Sequence, residues 1–247
     1  MNLFSTFIDL IYPPRCPICH AFLWGKKARN DLEELPLCQS CFDSFREIAS
    51  PLCPICGRPF TPGIEEDHVC ENCLRKRPSF DKAAAPYLYE GDLMTAIHEF
   101  KYGGKSYMVS ALGPLLAAFA SDWLKERDDL ILMPIPLHPK RLRERGFNQS
   151  LLLARHVASR LDAKLDSLTL RRTRYTKPQT GLKSGERRRN VRRAFEVRNQ
   201  KALRGKAIVL VDDVATTGST LNECARVLKR AGCKEVYGLV LARTSMR

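Results

Sequence analysis

One stretch, residues 206–228, constrains the fold of this chain more than any other. Five consecutive apolar residues, 207–211, predict a strand that is buried on both faces, as strands of a parallel sheet are. Two carboxylates, Asp212 and Asp213, follow where this strand would end, and a hydroxyl-rich turn comes next. A helical pattern of apolar residues then starts at Leu221. A strand, a turn and a helix in this order aim several free backbone N–H groups at one point.

This turn is a candidate phosphate-binding loop. The N–H groups and the dipole of the following helix favour negative charge, and Gly218 can take a positive φ that lets a ligand approach the backbone. Four hydroxyl side chains of the turn can donate to phosphate oxygens, namely Thr216, Thr217, Ser219 and Thr220. Asp212 and Asp213 would repel a phosphate, so we expect them to face a diol or a metal ion. On the generic pattern alone, a hydroxyl that only caps the helix is the competing interpretation.

The full string from Ile208 to Thr220 resembles the phosphoribosyl pyrophosphate (PRPP) signature of type I phosphoribosyltransferases. The resemblance implies that Asp212 and Asp213 hold the two hydroxyls of the ribose. It also implies that six consecutive residues wrap the 5′-phosphate. These six are Ala215, Thr216, Thr217, Gly218, Ser219 and Thr220.

Cysteines dominate the first part of the chain. Eight of the ten form four Cys-x-x-Cys pairs, separated by stretches of 18, 11 and 13 residues. The pairs are Cys16/Cys19, Cys38/Cys41, Cys53/Cys56 and Cys70/Cys73. This spacing predicts two tetrahedral zinc sites, each bound by four thiolates. Disulfides or redox pairs are the alternative, but no secretion signal is apparent and four redox motifs in one module would be unusual.

The sequence leaves the grouping of these cysteines open. A sequential grouping gives the first two pairs to one metal and the last two to the other, as a double zinc ribbon, and we favour it. A cross-braced grouping would join the first pair to the third. His68 is a further candidate ligand, although an exposed loop histidine is the simpler interpretation. With four protein ligands each, the zinc ions are predicted to be structural and to supply much of the folding free energy of this segment.

Positive charge is concentrated in one part of the chain. Of the net +14, residues 138–206 carry +16, from 21 Lys/Arg and 5 Asp/Glu, and the rest of the chain carries −2. Such a segment needs an anionic partner or a solvated surface. Within it, Arg141, Arg143 and Arg145 follow a predicted strand and are spaced to form a guanidinium cluster for phosphate. A solvated run of charges is the alternative interpretation.

A second loop, residues 171–195, is also dense in arginine. Its charge suits phosphate backbones, whereas Tyr175, its one aromatic residue before Phe195, gives thin support for base stacking.

Alternating strand and helix patterns from residue 82 onward predict an α/β fold with a doubly wound, mostly parallel sheet. The predicted strands are 83–89, 130–136, 207–211 and 234–242, and the predicted helices are 92–102, 107–124 and 147–161. Ligands of such folds bind outside the carboxyl ends of the strands, where the signature turn would lie. Two domains are expected: residues 1–79, with an N-terminal helix and the double zinc ribbon, and residues 80–247, with the α/β fold.

Residues 2–12 read as a short amphipathic helix, which we expect to pack on its own protein, with docking on a membrane surface as the alternative. No apolar run approaches the ~18 residues that a membrane span requires. We therefore expect a cytoplasmic protein without a membrane span.

The layout of motifs resembles the ComF/GntX family over essentially the full chain. Besides the cysteine pairs and the aspartate signature, the motifs are Ile97-His-Glu-Phe-Lys-Tyr102, Pro134-Ile-Pro136, Arg145-Gly-Phe-Asn-Gln149, Gln179-x-x-Leu182, Arg187-x-x-Asn190 and Ala194-Phe195. The resemblance implies a type I phosphoribosyltransferase-like domain preceded by a zinc ribbon. It also implies that residues 138–146 match the pyrophosphate loop and residues 171–193 the flexible catalytic loop. In members linked to natural transformation, the protein helps imported single-stranded DNA through the cytoplasm.

Two functions compete at this level. As an enzyme, the chain would bind Mg²⁺-PRPP with its ribose on Asp212 and Asp213 and its pyrophosphate near Arg143 and Arg145, and these four residues are the candidate catalytic set. Catalysis would be mainly electrostatic and positional, and no side chain stands out as a general base. Spacing alone assigns no role to His98 or Lys101.

As a nucleic-acid-handling module, the chain would keep PRPP binding as a ligand switch. Its basic segment and its ribbons would then bind single-stranded DNA, with proteins of the competence machinery as partners. The same arginines serve both functions, so charge alone does not separate them.

Overall fold

The computed structural model describes residues 12–23, 27–29, 34–61, 63–176 and 184–245. Residues 2–11 of the helix predicted for residues 2–12 lie outside these ranges. Within them, no helix combines the length and the apolar character that crossing a membrane would require.

The centre of the molecule is a six-stranded sheet in the order β3–β10–β9–β5–β6, with β4 also paired to β10. All of these pairings are parallel, which confirms the predicted sheet. The strands are β3 Lys82–Ala84, β4 Tyr87–Leu88, β5 Leu130–Pro134, β6 Lys164–Leu165, β9 Ala207–Ala215 and β10 Glu235–Arg243. β9 lies in the middle because its apolar run can be buried on both faces.

Helices cover both faces of this sheet. On one face lie α3 Gly91–Tyr102, α4 Val109–Trp123 and α6 Gln149–Leu161, and on the other lies α8 Ser219–Arg230. The alternation along β9 decides which core each side chain joins: Val209 and Val211 join the first, and Ile208 and Leu210 the second. The doubly wound α/β fold predicted from the alternating patterns is therefore correct.

Several element boundaries differ from the predictions. The strand predicted for 83–89 is broken into β3 and β4, because Pro86 has no N–H for the ladder. β9 continues through Ala215, four residues beyond the apolar run, because its ladder with β10 extends that far. Asp212 and Asp213 thus lie within the strand and not after it.

The two basic loops contain more regular structure than predicted. Residues 138–146 include a helix, α5 Pro139–Arg145, which begins with proline and ends at Gly146 in the left-handed region. The arginine-dense segment contains an antiparallel pair, β7 Leu170–Arg172 and β8 Phe195–Val197, and helix α7 Ser184–Val191. Residues 177–183 lie outside the described ranges.

The two cysteine-rich units pack on opposite faces of the sheet. The first contains β1 Lys27–Arg29, β2 Glu34–Cys38 and α1 Gln39–Asp43, and it adds Leu35, Leu37 and Phe45 to the first core. The second, with α2 Glu71–Arg75, adds Ile55 and its four cysteines to the second core. Each face of the sheet is thus covered by helices and by one ribbon, while the domain boundary after residue 79 stays a prediction.

Candidate functional site

A cleft of about 290 Å³ opens at the carboxyl ends of β5 and β9. This is where ligands bind in open parallel sheets. Both signature carboxylates line it, together with side chains from α3, α5 and α6. The sequence thus predicted the position of the cleft from β9 and its turn.

Lys101 is a cleft residue to which the sequence assigned no role. Its Nζ lies 2.8 Å from Oδ1 of Asp213, and the two side chains are only 17% and 3% exposed. Burial lowers the pKa of this amine, but the charge and hydrogen bond of Asp213, with the charge of Asp212, raise it above its ordinary value. Lys101 therefore holds a permanent positive charge beside the carboxylates.

Asp212 is held by donors of its own. Its Oδ1 accepts a hydrogen bond from Ser150 Oγ at 2.8 Å and another from the backbone N–H of Asp213 at 2.9 Å. Burial and the neighbouring charge of Asp213 raise its pKa to about 7, against the lowering effects of Lys101 and Ser150. The second oxygen of Asp213, Oδ2, has no hydrogen-bond partner among the described residues. The pair therefore offers free acceptor capacity inside the cleft, as a ribose diol requires.

Arginines form the opposite wall of the cleft. Arg141 and Arg145 line it from successive turns of α5, and Arg172 lines it from β7. The Nη1 of Arg145 donates to Gln149 Oε1 at 2.7 Å, and its guanidinium lies 5.0 Å from the ring centre of Tyr102. These contacts hold the arginine in place before any ligand binds.

Arg143, a predicted catalytic residue, is not among the side chains that line the cleft. It is exposed, because a helix turns residues two apart toward different sides. His98, to which spacing assigned no role, is exposed, lines the cleft and lies 4.8 Å from Tyr102 between ring centres.

The candidate phosphate loop joins β9 to α8. Gly218 has φ 70°, a conformation that glycine adopts without strain, and α8 begins at the next residue. Within the loop, Thr217 and Ser219 share a hydrogen bond of 2.7 Å between their hydroxyls. Thr216 and Thr220 line the cleft, whereas Thr217, Gly218 and Ser219 line a second cavity behind the loop. The assignment of residues 215–220 to a 5′-phosphate stays a prediction.

The phosphate loop is also anchored to the second ribbon. Arg58, two residues after Cys56, donates from Nη2 to the carbonyl oxygen of Thr216 at 3.2 Å. The hydroxyl of Thr244 donates to the same oxygen at 3.3 Å. The conformation of the loop therefore depends on contacts from outside the strand–turn–helix unit.

The cysteines form two clusters in the sequential grouping. In each, the four Sγ atoms lie within 4.8 Å of one another. The clusters are Cys16, Cys19, Cys38 and Cys41, and Cys53, Cys56, Cys70 and Cys73. The pairs Cys19–Cys38 and Cys56–Cys70 have Sγ atoms 3.5 Å and 3.8 Å apart, close to the ~3.8 Å edge of a zinc tetrathiolate. All ten cysteines are free thiols, so the structure contains no disulfide framework.

The chemistry of the donors also fits zinc. Burial would raise the pKa of Cys16 and of Cys53, but backbone N–H groups donate to each thiol and lower its pKa to about 7. Both clusters show the same pattern, in which the first cysteine accepts backbone hydrogen bonds from its own Cys-x-x-Cys pair and from the second pair of the cluster. His68 stacks on Phe60 at 4.0 Å and belongs to neither cluster. The two clusters are structural zinc-ribbon sites.

Comparison with known families gives two matches. The model of the double zinc ribbon domain matches residues 7–74, and that of the phosphoribosyl transferase domain matches residues 148–245. The two matches correspond to the cysteine clusters and to the β9–α8 unit with its flanking elements.

Curated relatives cover most of the chain. DNA utilization protein YhgH of Escherichia coli (strain K12) is 36% identical over 245 residues, which are 95% of this chain and 99% of that protein. Competence protein F of Haemophilus influenzae is 32% identical and covers 84% of this chain and 90% of its own length. Competence protein ComFC of Bacillus subtilis is 31% identical, over 79% of each chain.

Among solved structures, the purine phosphoribosyltransferase from Pyrococcus horikoshii Ot3 is 21% identical, covering 56% of this chain and 78% of its own, with a TM-score of 0.35. That overlap is weak, and the fold assignment rests on the sheet order and on the family match.

Proposed function

This chain belongs to the ComF/GntX family, and we propose that it binds Mg²⁺-PRPP at the carboxyl end of β9 and assists the handling of imported single-stranded DNA. The observation that carries the proposal is that Asp212 and Asp213 line one cleft together with Thr220, in the first turn of α8. Lys101 and Ser150 fix the two carboxylates from outside the signature. A candidate diol acceptor and the first turn of α8 thus face the same cleft, which supports this proposal.

Each part of PRPP finds a complementary surface. The ribose hydroxyls would donate to Asp212 and Asp213, and the 5′-phosphate would accept from the loop 215–220. The pyrophosphate would lie along Arg145, Arg141 and Arg172, whose charges offset its own. When bound, Mg²⁺ would neutralise part of the pyrophosphate charge, and the oxygen ligands of the cleft suit this hard cation.

The DNA-handling part of the proposal is supported by the charge distribution and by the relatives. The excess of positive charge between residues 138 and 206 suits phosphate backbones. Two relatives are named as competence proteins and another as a DNA utilization protein. PRPP would then act as a ligand switch for DNA binding, and proteins of the competence machinery in the cytoplasm would be the partners.

A second candidate is an active phosphoribosyltransferase. It is favoured by Arg172, which lines the same cleft as Asp212 and whose Nε has no partner among the described residues. Such an arginine could stabilise a departing pyrophosphate while C1′ of the ribose becomes cationic. The transfer would join C1′ to an acceptor base or nucleotide and release pyrophosphate.

A gel-shift titration tests the first candidate. We expect a labelled single strand to bind at low salt, to dissociate as salt rises, and to change its affinity when Mg²⁺-PRPP is added. Absence of a complex at low salt would refute the DNA-handling proposal. A pyrophosphate-release assay with a panel of bases and nucleotides tests the second candidate, and release with one acceptor would establish it.

A further inference from the structure

A second cavity, of about 530 Å³, lies behind the phosphate loop, between the second ribbon, α7 and α8. We call it the arginine cleft. It touches the candidate PRPP cleft only at the loop, where Thr217, Gly218 and Ser219 form part of its wall. It is the larger of the two cavities. Its distal wall, which the second ribbon, α7 and α8 form away from the loop, has no part in the PRPP proposal.

The charge of this cleft is strongly one-sided. Among the described residues, ten lysine and arginine side chains line it, against the single carboxylate of Glu223. That carboxylate is already engaged, because Arg226 donates to both of its oxygens at 2.6 and 2.9 Å and the backbone N–H of Arg193 donates at 2.6 Å. In the described part of the lining, no further carboxylate is present to neutralise the remaining cations.

One of these cations is almost fully buried. Arg243, at the end of β10, is 1% exposed, and its Nε and Nη1 have no hydrogen-bond partner among the described residues. It lies between the cysteines of the second ribbon and the loop: a Cβ added at Gly218 would stand 3.9 Å from its Nη2. Burial lowers its pKa, and the thiols of Cys56, Cys73 and Cys70 act against this shift. A zinc tetrathiolate in the second ribbon would offset part of the charge of Arg243. It would not offset the charge of the cations at the distal wall.

The lining also indicates what kind of anion fits. The only aromatic ring among the described lining residues is that of Phe80, which is 3% exposed. A base would therefore find no stacking surface, whereas phosphates would find guanidinium groups. Recognition in this cleft is thus expected to be independent of base sequence.

We propose that the arginine cleft binds the phosphodiester backbone of a single nucleic-acid strand. In the described lining, the unpaired cations come from three separate elements: Lys76 and Arg77 after α2, Arg188 to Arg193 on and after α7, and Arg230 on α8. Exposed charges on separate elements suit repeated phosphates along a chain, while a single small phosphate would use few of them. The inference rests on the DNA-handling part of the proposed function and assigns it a surface.

Charge reversal at the distal wall tests this assignment. Arg77→Glu/Arg230→Glu changes two exposed arginines that line the arginine cleft and not the PRPP cleft. Arg155→Glu/Arg160→Glu is the matched control, with two exposed arginines on α6, across the sheet. Arg230 and Arg160 each lie in the last turn of their helix, so both variants carry the same cost at a helix terminus.

Fluorescence anisotropy with a labelled oligo-thymidylate, at several salt concentrations, gives the readout. For Arg77→Glu/Arg230→Glu we expect the affinity at low salt to fall by ~10-fold or more. The slope of log affinity against log salt should be shallower by about 1.4, because two phosphate contacts are lost. The control should keep the wild-type salt dependence. Calorimetric titration with Mg²⁺-PRPP should give the wild-type affinity for both variants.

The possible outcomes are distinct. Equal loss of DNA binding in both variants would show that only the net charge matters, and unchanged binding in Arg77→Glu/Arg230→Glu would show that the strand binds elsewhere. Either result overturns the cleft assignment while DNA handling stands. If the wild-type chain binds no oligo-thymidylate, both the cleft assignment and the DNA-handling proposal are refuted.

Discussion

The amine of Lys101 lies 2.8 Å from the carboxylate of Asp213, in a pair that joins the last turn of α3 to the central strand. Replacing Lys101 with Met should destabilise the protein by about 2–4 kcal/mol, because a buried carboxylate then loses its counter-charge. Thermal or urea unfolding measures this loss.

A double-mutant cycle supplies the control for this pair. Lys101→Met/Asp213→Asn should be more stable than Lys101→Met alone, since the double variant buries no unpaired charge. Additive losses would mean that the two side chains do not interact.

The raised pKa of Asp212 predicts how stability depends on pH. In the folded chain this carboxyl keeps its proton up to about pH 7, whereas in the unfolded chain it ionises near its ordinary pKa of 3.8. Its contribution to stability is therefore fully present below the unfolded pKa and is lost as pH rises through about 7. Asp212→Asn should gain stability relative to wild type between about pH 5 and pH 8, by on the order of 2 kcal/mol. Melting temperatures across this range would show a constant difference if the pKa were not raised.

The same titration should appear in ligand binding. An ionised Asp212 accepts two hydroxyl hydrogen bonds better than a protonated one, so PRPP affinity should rise with pH through about 7. Ser150→Ala removes a hydrogen bond that lowers this pKa and should move the midpoint upward. Calorimetry in buffers of different pH measures the midpoint, and a midpoint that moves downward in Ser150→Ala would contradict the assignment.

The hydrogen bond from Arg58 to Thr216 predicts that the second ribbon helps to position the phosphate loop. Arg58→Ala removes the donor to the Thr216 carbonyl and should weaken PRPP binding by ~10-fold through a looser loop, with zinc content unchanged. Arg15→Ala is the control, since Arg15 precedes the first ribbon's Cys16 and stacks on Phe22 instead. Equal affinities in the two variants would show that the ribbon does not position the loop.

The two zinc sites should release their metal at different rates. In the first cluster Cys19 is exposed and Cys38 is half-buried, whereas all four cysteines of the second are buried. A chelator with a coloured zinc indicator should therefore give a fast and a slow phase of about one zinc each. Cys19→Ser should remove or accelerate the fast phase only, and a single phase in the wild type would contradict this order.

The sequence was sufficient to predict the features that follow from patterns and spacings of residues along the chain. The alternation of elements predicted the parallel sheet, and the spacing of Cys-x-x-Cys pairs predicted two clusters, whose sequential grouping the structure has. The position of Asp212 and Asp213 at a strand end predicted the cleft, although β9 extends past them to Ala215.

Features that depend on distant contacts could not be predicted in this way. Lys101 reaches Asp213 only because α3 packs on the sheet, and no spacing reveals that pairing. Arg143 was grouped with Arg145 because residues 138–146 were interpreted as a loop, whereas in a helix it is Arg141 that shares a face with Arg145. The contact of Arg58 with the phosphate loop likewise requires the second ribbon to be docked on the sheet.

Calorimetric titration of Mg²⁺-PRPP into the wild-type chain, Asp212→Asn and Asp122→Asn at about pH 8 tests the central claim most directly. Asp122 is an exposed carboxylate on α4, outside both clefts, and serves as the control. We predict saturable binding by the wild type and Asp122→Asn, and binding about 10- to 100-fold weaker by Asp212→Asn. Absence of binding by the wild type, or equal affinity in all three proteins, would contradict a phosphoribosyl site at the end of β9.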